Sequence, residues 1–554
     1  MRSIKNRLLL KGRKNKKTII TILLAIVAMA GQAQTIPTDW FKTDTITIRG
    51  RIEGYDAEQF GFTSMECYFN DIFEKDDATL ILYIASDGSF CKKFKASHPI
   101  RQSFHAQDSK ISFNEIPFFA RPGETIDITI RTNEQGKYEC FYNSGSSHDV
   151  ERWLKAPLNT FDMFRPLHHD FIGTPTEMRP VVEQIRRDVL LCIDSIAHSE
   201  HFTSLEKQLA QAEVDLEFGY AVLDYFMYRE HRSMKQNIRD GEYYTEILDS
   251  IAEKDTRQME NYMLLQCINA DNPLLLCLEH TDPFINRLQY ARPVQAIMNA
   301  NQNVTEAEKL QGFYTAMRTM LRTEQNTLLA QACCYRAMLD GFNSWRSRRD
   351  NFLTWLAKHP EVPDSIGQKR LTAIEGVEEI FPTYLATFTH SYLHTKAQDF
   401  YDEQMAITEI SSPLPEGPMA DLIRSLCAKY PDKILMIDFW GMSCGPCRYA
   451  IQQSKKLRAE IAKRDDVKLI FIAGERTKDG SDAYKKYVAE WLADEETVCV
   501  TNADFTRLQE LFQFNGIPHY ETITPDCRRV RDDLQIHGFH NFDYELRRLK
   551  EKLK

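Results

Sequence analysis

Ile434-Leu435-Met436-Ile437-Asp438-Phe439-Trp440, running directly into Gly441-Met442-Ser443-Cys444-Gly445-Pro446-Cys447-Arg448, decides how this chain is read. The first seven residues form an apolar run of buried-strand length, and the segment from Pro446 onward has helical character. Proline suits a first helical turn, where a missing N–H costs little. Two cysteines separated by two residues at a strand-to-helix junction have a specific chemical use. Cys444 falls where backbone N–H groups and the helix dipole favour an anion, which lowers its pKa and makes a thiolate nucleophile. Cys447, one turn on, is placed to attack a mixed disulfide formed at Cys444. Two other uses of such a pair stay open at this point. A zinc knuckle needs four ligands, and the sequence holds no second Cys-x-x-Cys. A purely structural disulfide would have no need of this junction.

Working outward, strands and helices alternate to the end of the chain. Pro446–Ala462 reads as one helix, Val467–Ala473 as a strand and Asp482–Ala493 as a helix. Val498-Cys499-Val500 is a strand, Asp504–Phe512 a helix, Tyr520–Ile523 a strand, and a last helix starts at Phe542. Such alternation predicts an α/β layer fold over 415–554. Ser411–Pro418, with three prolines in eight residues, reads as a boundary unsuited to a helix or a central strand. Over 43–145 the period is two. Ile46, Ile48, Ile52, Ile126, Ile128 and Ile130 share the inner faces of their strands, and Asp87-Gly88 and Pro122-Gly123 break them. Short antiparallel strands in a β-sandwich-like domain follow. Between them, 146–410 carries helical stripes, Leu205/Leu209/Ala212/Leu216 and Tyr314/Met317/Leu321/Leu328, and predicts an α-helical middle domain.

The chain has 554 residues, 43% hydrophobic and 27% charged, which excludes a disordered tail, a polytopic membrane protein and a disulfide-dense miniature. Its net charge of −10 is uneven. The first 33 residues hold eight Lys or Arg and no acid, so the remainder stands at −18. An acidic chain of this kind argues against a nucleic-acid partner. Residues 1–33, with a basic start, an apolar Thr18–Ala30 and Ala30-Gly31-Gln32-Ala33, have the layout of a cleavable secretory signal, an uncleaved anchor being the alternative. Export to the periplasm is the expectation. Thirteen cysteines are too few for a disulfide scaffold. Cys192, Cys267 and Cys277 read as buried free thiols in apolar helices, Cys333-Cys334 as neighbours unable to bridge each other, and Cys499 and Cys527 as structural. His168-His169-Asp170, His537 and His540 read as polar surface rather than metal ligands, and no cofactor is called for.

Asp438-Phe439-Trp440 followed by Cys444-Gly445-Pro446-Cys447-Arg448 resembles the thioredoxin fold, in particular the TlpA/ResA-like exported thiol–disulfide oxidoreductases, over the last quarter of the chain. Gly516-Ile517-Pro518 resembles the cis-proline loop of that group, Asp438 its buried acid, and Glu475 the acid after the next strand. The resemblance implies a redox-active Cys444–Cys447 disulfide, a proton acceptor at Asp438 or Glu475, and a substrate backbone aligned by Pro518. It also implies substrate contacts from Trp440, Gly445, Pro446 and Ile517. A carboxylate in an apolar site has a raised pKa and can take the proton from Cys447. Ser443 stands where thioredoxins usually carry Trp, and His519 follows the proline where the group more often has Thr, within conceivable reach of the thiolate. Gly-Pro between the cysteines resembles reducing members, which implies reduction of protein or small-molecule disulfides with a membrane or periplasmic electron donor. Oxidase or isomerase activity, or a scaffold whose redox unit serves docking, are the alternatives. The β-rich segment resembles a domain found before such units in exported Gram-negative proteins. The oligomeric state is not legible in the sequence.

Overall fold

Alternating apolar residues in the first hundred described positions fold into two four-stranded sheets. The computed structural model describes residues 40–553 apart from 75–76, 169–170, 240–241, 299–304, 324–326 and 418; the signal-like segment, His169 and Asp170 lie outside them. The strands are β1 (Asp44–Ile52), β2 (Ser64–Asn70), β3 (Asp77–Tyr83), β4 (Ser89–Ala96), β5 (Ile100–His105), β6 (Glu115–Ala120), β7 (Thr125–Thr132) and β8 (Tyr138–Ser144). One sheet runs β4-β1-β7-β8 and the other β3-β2-β5-β6. All six isoleucines of the period-two pattern are fully buried. Phe94 on the first sheet meets Phe69 and Phe118 of the second, with ring centroids 5.8 and 6.3 Å apart, so the two faces share a core. Gly88 and Gly123 stand at φ +82° and +88°, a backbone region that glycine enters without a Cβ clash. One pairing departs from the expected antiparallel set: β1 and β7 are parallel. Period two fixes which side chains point inward and leaves the direction of the neighbouring strand open.

The middle of the chain is mostly helical. Its long helices are α1 (Pro175–Ser199), α2 (Ser204–Ser233), α3 (Glu306–Leu321) and α4 (Leu328–Lys358). The first three start on capping boxes, Thr174/Glu177, Thr203/Glu206 and Thr305/Glu308. The stripes Leu209/Ala212/Leu216 and Tyr314/Met317/Leu321 are buried. Leu328 belongs to the next helix, because Arg322 at φ +54° caps α3. The all-helical expectation also misses an antiparallel hairpin, β9 (Met234–Arg239) with β10 (Glu242–Ile247). The sequence places Asp240-Gly241, a favoured hairpin dipeptide, between them. His168 is not surface. It closes the helix Thr160–His168, is 3% exposed, and its Nδ1 lies 3.0 Å from Asp224 Oδ2. Cys267, expected inside, is exposed, whereas Cys277 is buried.

The last part is a six-stranded mixed sheet between helices, in the order β11-β16-β15-β12-β13-β14. Its elements are β11 (Ser411–Pro413), α5 (Ala420–Lys429), β12 (Ile434–Trp440), α6 (Gly445–Gln453), α7 (Lys455–Ile461), β13 (Val467–Glu475), α8 (Asp482–Trp491), β14 (Glu496–Thr501), α9 (Asn502–Phe512), β15 (His519–Ile523), β16 (Arg528–Val530) and α10 (Phe542–Leu553). The stretch read as a boundary thus contributes an edge strand, a position where proline is tolerated. The single helix expected after Pro446 is two, since Ser454, at φ −85° and ψ 1°, ends α6 and starts α7. β12 is central and buried at all seven positions. It runs parallel to β13 and antiparallel to β15. Ile434, Met436 and Trp440 face one core with Cys447, Ile451 and Phe471, while Leu435, Ile437 and Phe439 face a second core with α5 and α9. From Phe41 onward the chain forms one compact unit.

Candidate active site

The end of β12 aims the chain at the paired cysteines. A turn closed by the Cys444 N–H donating to Gly441 O, at 3.1 Å, leads to Cys444, which is the N-cap of α6. There the backbone N–H of Cys447 donates to Cys444 Sγ at 3.1 Å, as a helix N-terminus does for any anion or acceptor at its cap. Cys444 and Cys447 form a disulfide, with their Cα atoms 5.3 Å apart. Burial separates the two sulfurs. Cys444 retains 9% exposure beside the exposed Ser443, Gly445 and Pro446, and Cys447 retains 1%. An incoming group therefore reaches Cys444 first. Facing it, the Ile517 carbonyl oxygen lies 3.5 Å from Cys444 Sγ, the Ile517–Pro518 peptide is cis, and Pro518 is exposed.

Asp438 lies on β12 between Met436 and Trp440, on the face that packs Cys447 and Ile451. It is 3% exposed, and its Oδ1 has no hydrogen-bond partner among the described residues. Burial pushes its carboxyl up to about 8, opposed by the positive charge of Arg458. Arg458, fully buried on α7, donates to the carbonyls of Ile451 and Trp491 at 3.1 and 2.9 Å, to Ser454 Oγ, and to Glu495. Burial lowers the guanidinium to about 10, resisted by Asp438. Tyr520, the partner of Asp438 across β15, has its hydroxyl pKa raised by burial and by that carboxylate. The arrangement is a weakly hydrated acid able to hold or release a proton near neutral pH, on the sheet face beneath the inner cysteine.

The other expected site residues are placed as follows. Glu475 ends β13 half-buried, and its Oε2 accepts the Ser481 N–H at 3.3 Å. Ile517 is half-buried, and Gly445 and Pro446 are exposed beside Cys444. Trp440 is fully buried, stacked on Tyr484 at 5.7 Å and near Tyr487 at 5.3 Å, so it offers no surface to a substrate. His519 points away from the thiols. Its ring stacks on Phe514 at 4.1 Å on the opposite face, and its Nε2 is 2.9 Å from Glu521 Oε1. The alternation of β15 decides this: Tyr520 takes the cysteine face, so His519 and Glu521 take the other.

No family model matches the chain, and neither does any curated protein. Among solved structures, it is similar to the thioredoxin domain of a thiol-disulfide oxidoreductase from Bacteroides vulgatus, at 17% identity and a TM-score of 0.19, over 22% of this chain and 83% of that one. A thiol:disulfide interchange protein from Bacteroides sp. gives 17% and 0.19, over 26% and 86%. StoA from Bacillus subtilis gives 14% and 0.18, over 22% and 84%.

Sequence reasoning missed Arg458, because nothing in Lys455-Lys456-Leu457-Arg458 separates a buried guanidinium from its solvated basic neighbours. It also missed what braces the proline loop. Thr79 Oγ1 of β3 donates to the Phe514 carbonyl at 2.8 Å, Asn515 Nδ2 donates to Asn70 Oδ1 at 2.6 Å, and Lys92 Nζ pairs with Glu510 at 2.6 Å. These contacts link positions more than 400 residues apart, which no local pattern reveals. Among the described residues no group of three or more His, Cys, Asp or Glu could hold a metal ion, and no helix is long and apolar enough to cross a membrane.

Proposed function

We propose that this chain is an exported thiol–disulfide oxidoreductase that reduces disulfides of protein or small-molecule substrates. The observation that carries the reading is the cysteine pair itself: an outer cysteine at a helix N-cap, an inner cysteine more deeply buried, and on the same sheet face a buried acid with an oxygen unpartnered among the described residues. In the reduced form the Cys444 thiolate attacks one sulfur of a substrate disulfide. That S–S bond breaks, one substrate thiolate leaves, and a mixed disulfide to Cys444 remains. Cys447 then gives its proton to the ionised form of Asp438, which becomes populated as pH approaches 8, and attacks Cys444 Sγ. The second substrate thiolate leaves, the Cys444–Cys447 bond closes, and two electrons have passed to the substrate. A dithiol donor at the membrane or in the periplasm returns two electrons to the pair. Pro518 and the Ile517 carbonyl beside Cys444 align the incoming chain.

The test is turnover of a model disulfide with a dithiol as electron source. The signal-free protein is expected to be active and Cys444→Ser to lose at least a hundredfold, whereas equal activity in that variant overturns the enzymatic reading. Cys447→Ser is expected to accumulate mixed disulfides at Cys444, whose partners identify the substrate class. A reduction potential of about −270 mV supports a reductase, and one of about −120 mV makes the protein an oxidase.

A further inference from the structure

Eleven cysteines lie outside the motif, and two of them meet at the opposite end of the central sheet. α5 ends at Lys429, just before β12 begins at Ile434. β15 runs antiparallel to β12 and ends at Ile523, paired with Leu435, so the turn that follows lies beside the exit of α5. Cys427 sits on the last turn of α5, and Cys527 on the turn from β15 to β16. That turn is closed by the Cys527 N–H donating to Thr524 O at 2.9 Å. Both side chains pack against the same apolar core, and the Cys527 thiol is close enough to Cys427 to help raise its pKa.

We infer that Cys427 and Cys527 form a second dithiol site, which a small-molecule disulfide oxidises to a cross-link between α5 and the β15–β16 turn. The two thiols differ in access. Cys527 is half-buried and Cys427 buried, so Cys527 meets the oxidant first. Its thiolate attacks the small disulfide, one small thiolate leaves, and a mixed disulfide forms on Cys527. Cys427 loses its proton to solvent and attacks Cys527 Sγ, expelling the second small thiolate. The net change is two protein thiols oxidised to one disulfide and one small disulfide reduced to two thiols. Burial and the neighbouring thiol push Cys427 up to about 12, which makes the closing step the slow one and more rapid at higher pH. The bond would tie the start of the central strand to the strand that follows Pro518, joining positions 100 residues apart.

The cleanest background is the full chain carrying Cys444→Ser and Cys447→Ser, in which the redox motif is silent and failure of the proposed function cannot masquerade as failure here. After equilibration with oxidised glutathione, peptide mapping without reductant is expected to find the Cys427 and Cys527 peptides joined. Labelling of both by N-ethylmaleimide after denaturation should be lost, and dithiothreitol should restore it. The oxidised form should melt several degrees above the reduced one. Cys427→Ser in the same background should leave Cys527 carrying one glutathione and no cross-link. Full labelling of both cysteines in the equilibrated protein overturns the proposal, as does either cysteine joined to a different partner.

Discussion

Two carboxylates are buried in the central sheet, on neighbouring strands and opposite faces, and their surroundings differ completely. Glu521, fully buried on β15, is surrounded by donors: Arg529 Nε and Nη2 at 2.8 Å, Gln535 Nε2 at 3.0 Å and His519 at 2.9 Å. Asp438, on β12, keeps an oxygen with no partner among the described residues and has a guanidinium nearby that spends its hydrogen bonds elsewhere. A buried charge that is fully paired holds a structure in place, while one left short of partners is expensive and gives up its charge instead. The contrast teaches that burial alone does not mark a functional acid. Burial with missing partners, on the face of the paired cysteines, is what the proposed proton transfer requires.

The largest expected effect lies at Asp438. Its carboxyl ionises near 3.8 in the unfolded chain and near 8 in the folded one, so between those pH values the native state retains a proton that the unfolded state has lost. The stability it contributes is fully present below about pH 4 and is lost as pH rises toward 8, at about 1.4 kcal/mol per pH unit. Asp438→Asn cannot ionise. Relative to the parent, it should gain on the order of 4 kcal/mol between pH 4 and pH 7, read by urea unfolding of the oxidised form. Turnover should fall about a hundredfold with the proposed proton acceptor for Cys447 removed. A gain that is independent of pH would break the contrast at its first term.

Next comes the paired acid. Arg529→Met strands Glu521 with two of its donors gone, and should cost about 3 kcal/mol of stability, as breaking a buried ion pair does. Turnover per folded molecule should be unchanged, since Arg529 lies on the face away from Cys447. A smaller step on the same face sharpens the point. His519→Phe preserves the stack on Phe514 and removes one hydrogen bond to Glu521, for about 1 kcal/mol and no change in turnover. A loss of turnover in either variant would show that both faces serve the chemistry.

How much of this was legible beforehand differs between the two acids. Asp438 was legible through the resemblance carried by Asp438-Phe439-Trp440 and the cysteine motif, a few consecutive residues, with Glu475 as the alternative. Glu521 was not, because its partners come from three separate segments and a two-residue phase decides which face it takes. The same limit hid the parallel pairing of β1 and β7, the hairpin at Met234–Ile247, the break at Ser454 and the meeting of Cys427 with Cys527. Patterns of period two and 3.6 report which side of an element is buried, and the identity of the neighbour across the contact is set by topology.

Glu475 should show the smallest effect, and it completes the comparison as an acid that is neither orphaned nor enclosed. It ends β13 half-buried, and the oxygen that does structural duty accepts the N–H of Ser481, which itself caps α8. An amide keeps an acceptor oxygen in that position, and solvent supplies whatever the other atom needs. Glu475→Gln is therefore expected to stay within about 0.5 kcal/mol in stability, within about twofold in turnover, and to leave the pH profile of the Cys447 step where it was. If the variant instead slowed turnover more than Asp438→Asn and moved that profile, the proton would leave by the half-exposed strand end, and the missing partner at Asp438 would be a cost of the fold with no catalytic return.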